Sequence, residues 1–352
     1  MKRERIFYLD FIRALAVILI LLTHYNALFL YKVPQSINNV VITYRICNLY
    51  IGDFGVSLFF IISGAALMYV YENKCDLKAF YKKRILGIYP LFWLSYIIAY
   101  VIQKVVYHVD YSGIPVKNFI YSVIGFDSYL AGIMPTFYIV GEWFLGCIIL
   151  VYILFPLLRW GANKHPMSVG AALLLIYLLT IVCYSTPISK TILVGTRLPE
   201  VFFGMIYMKY FKKTNWKIAI LALAVLVANT ILAPQFNVCI QITYVGIAAF
   251  LVLTFIANFL KNKITVKVAA FFAKYCYSIF LIHHFVIYKV TDFFDLNKIN
   301  LLESYGLFGL CAVCAILAAI ALYYLDKEIQ ALIGKIILKI KVVHKQENQM
   351  PE

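Results

Sequence analysis

The chain has 352 residues, of which 64% are hydrophobic and only 14% charged, and its mean hydropathy is +0.87. This composition excludes a water-soluble globular protein, because soluble domains carry roughly a quarter charged residues. The formal net charge of +16 would suit a nucleic-acid-binding protein, but the chain has no polar domain on which a basic face could form. Apolar runs of about 20 residues alternate with short polar loops instead, which is typical of a multi-pass membrane protein.

Ten apolar runs predict ten transmembrane helices. A bilayer admits only helices or closed barrels, and runs such as AFLVLTFIANFL lack the alternation of a barrel strand. We therefore predict an all-α, polytopic helical bundle in the cytoplasmic membrane. Its spans are expected near residues 8–31, 50–71, 86–106, 138–158, 169–186, 192–209, 217–234, 238–259, 269–289 and 306–325.

Basic residues are shared unequally between the two sides of the predicted bundle. With the N terminus inside, 22 of the 32 Lys and Arg lie on the cytoplasmic side, 7 lie outside and 3 fall within or at the edges of spans. The positive-inside rule then predicts that both termini are cytoplasmic. We expect one integral-membrane domain over residues 1–352, with a core at about 6–326 and a basic cytoplasmic tail at 327–352. The longest loop, about 107–137, would lie outside and is long enough to fold back as a lid.

Neither a signal peptide nor a metal site is predicted. The MKRER start precedes an apolar run, but no small-x-small cleavage site follows and Arg13 and His24 interrupt the run, so it is interpreted as a permanent span. The eight cysteines have neither disulfide-framework nor metal-site spacing and are expected to be free thiols. The intramembrane histidines and carboxylates likewise do not form a spaced ligand set along the chain.

The first predicted span carries the most informative ionisable residues, Asp10, Arg13 and His24. Charged side chains inside a bilayer are costly, which makes them candidates for function. His24 follows Arg13 by eleven positions, about three helical turns plus 20°, so both lie on one face about 16 Å apart. Asp10 is positioned to pair with Arg13. A purely structural alternative is an interfacial ion pair and a single interhelical hydrogen bond from His24, but imidazole is also suited to proton transfer near neutral pH.

Other polar residues are candidates to line a cavity. Ser57 and Ser63 lie among glycines in the second span, where close helix packing is an equally good explanation. Lys82, Lys83 and Arg84, at the mouth of the third span, suit a polyphosphate, although they also serve to orient the chain. The remaining candidates for the cavity or an acceptor site are Glu142, Trp143, Tyr152, Arg197, His283 and His284. An ion pair with Glu200 is the simpler account of Arg197, and we expect the adjacent His283 and His284 to face different ways.

Five segments together resemble membrane acyltransferase family 3, bacterial integral-membrane enzymes that acylate surface polysaccharides. They are YLDFIRALAVILILLTHY, GVSLFFIISGAAL, FYKKRILGIYPLF, WFLGCIILVYILFPLL and YSIFLIHHFVI. The first, with ten residues between Arg13 and His24, is the most specific. The resemblance implies transfer of an acyl group, usually acetyl, from cytoplasmic acyl-CoA to a hydroxyl of an extracytoplasmic glycan. It also implies that Arg13 and His24 are essential.

Two positions depart from the family's pattern. Gly87 stands where a second arginine often follows Arg84, and Ile148 stands where a glutamate often follows Trp143 in members fused to an extra domain. These departures favour a stand-alone enzyme and put the role of a phosphate-side arginine pair in doubt.

The expected reaction uses acetyl-CoA as cosubstrate and no metal. Lys82, Lys83 and Arg84 would bind the CoA phosphates. His24 would act as general base, and Arg13 and Asp10 are the other two expected catalytic residues. Expected partners are acyl-CoA, a cell-surface glycan or lipid-linked sugar, and membrane lipids, with no nucleic acid; a homo-oligomer is compatible with the sequence. The alternatives are transfer of succinyl or another short acyl group, a glycan transporter or flippase, and a scaffold for a polysaccharide synthase. Transporters tend to show internal repeats, and none is evident here.

Overall fold

The computed structural model describes residues 4–31, 36–185 and 187–347, with side chains placed up to residue 336. Its helices are α1 (Phe7–Tyr31), α2 (Ile51–Tyr71), α3 (Leu77–Val101), α4 (Phe119–Ile124), α5 (Asp127–Leu130), α6 (Trp143–Lys164), α7 (Pro166–Cys183), α8 (Val194–Ile206), α9 (Trp216–Leu232), α10 (Val238–Leu260), α11 (Lys263–Thr291) and α12 (Leu301–Glu347). Two-residue strands β1 (Arg45–Ile46) and β2 (Leu49–Tyr50) form an antiparallel hairpin just before α2. The prediction of an all-α fold is confirmed.

Among the described residues, eight helices are long and apolar enough to cross a membrane. They are α1, α2, α3 with its π-helical extension to Val106, α6, α7, α10, α11 and the part of α12 up to Ile336. The two other predicted spans correspond to shorter helices, because α8 ends at Ile206 and continues as a π-helical turn over Tyr207–Phe211, while α9 has 17 residues. The chain is therefore polytopic, whereas the count of ten spans and the cytoplasmic termini stay predictions.

Some helix ends differ from the predicted span ends for identifiable reasons. Helix α3 begins nine residues before residue 86, because the Asp76 side chain accepts a hydrogen bond from the Ala79 backbone N–H and caps a polar first turn. Helix α6 begins at Trp143 rather than residue 138, since Gly141 has a φ of +79° that a right-handed helix excludes. Helix α12 continues through the predicted basic tail as far as Glu347. Hydropathy marks the apolar part of a helix and not its ends.

The hydrophobic core consists of two clusters that meet along α1. The first joins α1 to α2, α6, α8 and α10 and includes Phe60 and Phe250. The second joins α1 to α3, α11 and α12 and includes Tyr25 and Ile279. Helix α7 lies at the periphery and exposes apolar side chains such as Leu175, which is expected of a surface that faces lipid. The polar residues of α1 therefore lie in the middle of the bundle.

Hydrogen bonds fix the end of α1 that follows His24. The buried Asn26 amide donates to the backbone carbonyls of Val41 at 3.0 Å and Thr43 at 3.1 Å, and its carbonyl oxygen accepts from the Val41 N–H at 2.9 Å. The Tyr25 hydroxyl donates to the Ser304 carbonyl of α12 at 2.8 Å. These bonds fix the rotational orientation of α1 about its own axis. That orientation sets the direction in which His24 points.

Glycines bring the backbones of α2 and α8 into contact. A Cβ atom built on Gly64 would lie 1.9 Å from the Val201 carbonyl oxygen, and one built on Gly204 would lie 2.0 Å from the Ile61 carbonyl oxygen. Such distances are far shorter than van der Waals contact, and the atoms that would be struck belong to the backbone. The close approach of these helices therefore requires glycine at both positions.

We expect the Gly64→Ala substitution to destabilise the protein by about 2 kcal/mol or more, because the helices must separate to admit the methyl group. The unfolding temperature in detergent measures this effect. Gly309→Ala is the matched control, since nothing lies within 4 Å of a Cβ there, and alanine in an open helix position stabilises by up to about 1 kcal/mol. Equal unfolding temperatures for the two variants would contradict the close packing.

Candidate active site

Polar residues from three parts of the chain meet at His24. The centroid of its ring lies 4.7 Å from the ring centroids of both His283 and His284 in α11. Glu142, just before α6, completes the group, and the donor atoms of His24, Glu142 and His283 lie within 4.8 Å of one another. Both of the adjacent histidines therefore contact His24, although they project from α11 in different directions. Neighbouring helix positions differ by about 100°, and the His24 ring lies between their side chains.

Hydrogen bonds orient the Glu142 carboxylate. Its Oε1 accepts from the Tyr138 hydroxyl at 2.8 Å and lies 2.8 Å from Nδ1 of His284. Burial raises the pKa of the Tyr138 hydroxyl and the Glu142 carboxylate raises it further, so the hydroxyl keeps its proton and donates. Sequence reasoning missed Tyr138, because one of 28 tyrosines in a short apolar loop carries no distinguishing pattern.

The orientation of His283 leaves one ring nitrogen without a partner among the residues that the structure describes. Its Nδ1 lies 2.8 Å from the Phe280 carbonyl oxygen and 3.1 Å from that of Ile279, so Nδ1 carries the hydrogen. The lone pair is then on Nε2, which is buried and has no hydrogen-bond partner among the described residues. A buried acceptor left unpaired costs about 1–3 kcal/mol. This nitrogen therefore marks a position where a ligand atom would be stabilising.

A cavity of about 400 Å³ extends from Arg13 to His24 along α1. Helices α1, α2, α3, α6 and α11 form its walls. Arg13, Lys83 and Arg84 line it together with His24 and Glu142. A second, more open cavity of about 730 Å³ adjoins it and shares Arg13 and Lys83. The predicted alignment of Arg13 and His24 on one face of a helix therefore places both in the wall of a single cavity.

Arg13 belongs to a small charge network at the junction of the two cavities. Its Nη1 donates to Asp10 Oδ1 at 2.8 Å, and Arg5 Nε donates to Asp10 Oδ2 at 2.8 Å. The Asp10 carboxylate thus lowers the cost of burying the Arg13 guanidinium while leaving a net positive charge. Lys83 of α3 lines both cavities as well, and the two cations together attract anions to this junction.

Arg84 is held inside the first cavity by aromatic rings. Its guanidinium carbon lies 5.8, 5.5 and 5.2 Å from the ring centroids of Tyr71, Phe80 and Tyr152. Its Nη2 donates to the Tyr71 hydroxyl at 3.4 Å, and its buried Nε has no hydrogen-bond partner among the described side chains. The rings orient this cation without consuming all of its donors. Lys82, by contrast, is exposed and lines neither cavity.

A protein-family model described as an acyltransferase domain matches residues 6–325. The chain belongs to acyltransferase family 3. No curated protein and no solved structure matches it. The family match and the apolar helices together make the protein a multi-pass membrane acyltransferase.

Other predicted residues divide between the cavity and the helix interfaces of this acyltransferase. Ser63, Trp143 and Tyr152 line the cavity. Ser57 does not, which corrects its prediction as a lining residue. Six positions along a helix turn the chain by about 600°, so Ser57 points about 120° away from Ser63. Ser57 is buried against α10 and donates to the Ile242 carbonyl at 3.4 Å.

Arg197 also lies outside the described cavities of the acyltransferase, which corrects its prediction as a lining residue. It is buried, and its guanidinium lies 3.4 Å from Glu200 and 3.6 Å from Asp53. The predicted ion pair with Glu200 is present, and Asp53 adds a second carboxylate that the linear sequence does not bring near. The guanidinium carbon lies 5.5 Å from the ring of Trp143, which lines the cavity. Arg197 therefore contacts a lining residue without lining the cavity itself.

Proposed function

We propose that this acyltransferase moves an acetyl group from cytoplasmic acetyl-CoA to a hydroxyl of an extracytoplasmic or lipid-linked cell-surface polysaccharide, with His24 as general base. The observation that carries the proposal is the single cavity lined by Arg13, Lys83 and Arg84 as well as by His24. The cations pair with the phosphates of CoA. The flexible pantetheine arm follows α1 for the rise of about 16 Å between the levels of Arg13 and His24. The acetyl group then crosses the membrane while the CoA nucleotide stays on the predicted cytoplasmic side.

In the proposed reaction, the acceptor hydroxyl oxygen attacks the thioester carbonyl carbon while a ring nitrogen of His24 takes the hydroxyl proton. The carbon–sulfur bond then breaks, and the departing sulfur receives that proton from His24, which leaves the ester and free CoA. Glu142 is close enough to stabilise the imidazolium that forms between these steps. Tyr138 and His284 hold Glu142 in place and are positioning residues in this scheme.

Two features of the site favour an acetyl donor and a sugar acceptor. A succinyl group would place its own carboxylate near Glu142, and like charges in a partly buried site repel. On the acceptor side, the Tyr288 ring lies 4.4 Å from the His284 ring, and the Tyr138 hydroxyl lies 3.1 Å from His284 Nδ1. Aromatic rings with polar tips beside a carboxylate suit a ligand that has both apolar faces and hydroxyl groups.

Acetyl-CoA is expected to stabilise the purified protein. At a hundredfold excess over the dissociation constant, a ligand that binds only the folded state adds about 2.7 kcal/mol to its stability. The measurement is a rise in unfolding temperature with acetyl-CoA or CoA, compared with adenosine, which lacks the phosphates and the pantetheine arm. If the protein were a transporter or flippase for glycans, these ligands would have the same effect. Equal unfolding temperatures would therefore contradict acetyl-CoA as the donor.

The complete reaction is tested by reconstituting the protein in vesicles with labelled acetyl-CoA and cell-surface glycan, then measuring label in the glycan. NMR of glycan from cells with and without the protein identifies the acylated position. We expect O-acetyl signals only where the protein is present. Equal acetyl content in both glycans would contradict the proposed acceptor, and labelling by succinyl-CoA in preference to acetyl-CoA would contradict the proposed acyl group.

A further inference from the structure

Two side chains that line the cavity and one buried beside them form a set of metal ligands that is not apparent along the chain. His24, Glu142 and His283 come from α1, the residue before α6, and α11, yet each offers one donor atom within 4.8 Å of the other two. Two imidazoles and one carboxylate are a ligand set that Zn²⁺ accepts, with a fourth position left for water or substrate. Neutral imidazoles and one carboxylate also give this group a net charge of −1, which attracts a divalent cation.

The buried lone pair of His283 is an independent indication of a ligand. Its Nε2 is fully enclosed and has no hydrogen-bond partner among the described residues, while its Nδ1 donates to the Phe280 carbonyl at 2.8 Å. Histidines that bind metals are usually held in this way, with the second ring nitrogen donating to a carbonyl or carboxylate. The hydrogen bonds that fix Glu142 complete the same arrangement, since carboxylate ligands are also oriented by surrounding donors.

We propose that His24, Glu142 and His283 bind one divalent transition-metal ion, Zn²⁺ in particular, and that the bound ion inhibits acyl transfer. Donor atoms around a tetrahedral Zn²⁺ lie about 3.4 Å apart, so the three side chains must close on the ion by about 1 Å. His24 and Glu142 line the cavity and are only partly buried, which permits that adjustment. The fourth position then faces the cavity.

Inhibition follows from the electronic structure of imidazole. The lone pair of His24 that coordinates Zn²⁺ is no longer able to accept the proton of the acceptor hydroxyl. The inhibitory part of the proposal therefore rests on the proposed function, whereas metal binding does not depend on it.

The binding test is a calorimetric titration of the untagged, full-length protein in lipid nanodiscs with ZnCl₂, after removal of metals with EDTA. We expect one ion per chain and a loss of affinity of roughly tenfold or more in His283→Ala. His165→Ala is the matched control, since this histidine is exposed and lies outside the cluster. Glu142→Gln, which keeps the side-chain size, should weaken binding as well. This second variant tests the site even if the alanine variant misfolds. MgCl₂ should not bind here, because Mg²⁺ prefers oxygen ligands and retains its water.

Absence of stoichiometric Zn²⁺ binding in the unmodified protein would overturn the metal site, as would equal affinities in His283→Ala and His165→Ala. In the acetyl-transfer assay, activity should fall as the site fills and return after EDTA. Stoichiometric Zn²⁺ binding without loss of acetyl transfer would overturn the proposed inhibition but not the proposed metal site. If no transfer occurs even without Zn²⁺, the proposed function fails, and the calorimetric comparison still decides the metal site.

Discussion

Replacing His24 with alanine is expected to abolish acetyl transfer, with a loss of at least about a hundredfold. A positioned general base contributes roughly 10²–10⁴ to the rate, and no other imidazole lines the described cavity beside Arg13 and Arg84. Transfer of labelled acetyl groups in vesicles measures the effect. Stabilisation by acetyl-CoA should survive the substitution, because Arg13 lies about 16 Å along α1 from His24, and the other cations proposed to bind the phosphates, Lys83 and Arg84, belong to α3.

Two further variants separate this chemical role from a structural one. His165→Ala removes an exposed histidine that does not line the cavity and should retain full activity. His24→Asn keeps a polar side chain of similar length but not a base with a pKa near neutrality, so it should be as inactive as alanine. If His24→Ala or His24→Asn transfers acetyl groups at the unmodified rate, His24 is not the base.

The Arg84→Gln substitution is expected to weaken acetyl-CoA binding by roughly tenfold to a hundredfold. Hydrogen bonds to charged groups are worth about 1.5–3 kcal/mol, and the rings of Tyr71, Phe80 and Tyr152 hold this guanidinium within the cavity. Lys83, which lines both cavities from a more exposed position, should give a smaller loss when changed to glutamine. Titration of each variant with acetyl-CoA supplies the dissociation constants.

Lys82→Gln is the matched control for this series, since it removes the same charge from the adjacent helix position without altering the lining of either cavity. An exposed charge acts only through screened, long-range attraction, so its loss should change the dissociation constant by less than about threefold at physiological salt. The expected order of losses is therefore Arg84, then Lys83, then Lys82. Equal losses at the three positions would show that general positive charge, rather than the cavity, binds the donor.

The composition and the charge distribution allowed the membrane-embedded helical class to be predicted. Helix periodicity within α1 also predicted the pairing of Asp10 with Arg13 and the alignment of Arg13 with His24. Periodicity was less useful for Ser57 and Ser63. It shows that the two side chains point in different directions, but it does not show which helix or cavity lies in each direction. Ser63 faces the cavity, whereas Ser57 faces α10.

The assembly around His24 was only partly accessible to prediction. Glu142, His283 and His284 were candidates because they are polar residues in apolar surroundings, but nothing in their spacing related them to His24 or to one another. Tyr138 was missed altogether, and so was the close approach of the His24, Glu142 and His283 side chains.

The sequence by itself determined the class of fold and the geometry within each helix, because local backbone hydrogen bonds fix the direction of every side chain relative to its neighbours in the same helix. Only the tertiary structure decided which helix faces meet. That choice depends on contacts between distant segments, such as the backbone approach at Gly64 and Val201 and the hydrogen bonds of Asn26 that hold α1. Those contacts bring the buried His283 next to His24 and Glu142, which line a cavity whose walls also carry Arg13 and Arg84.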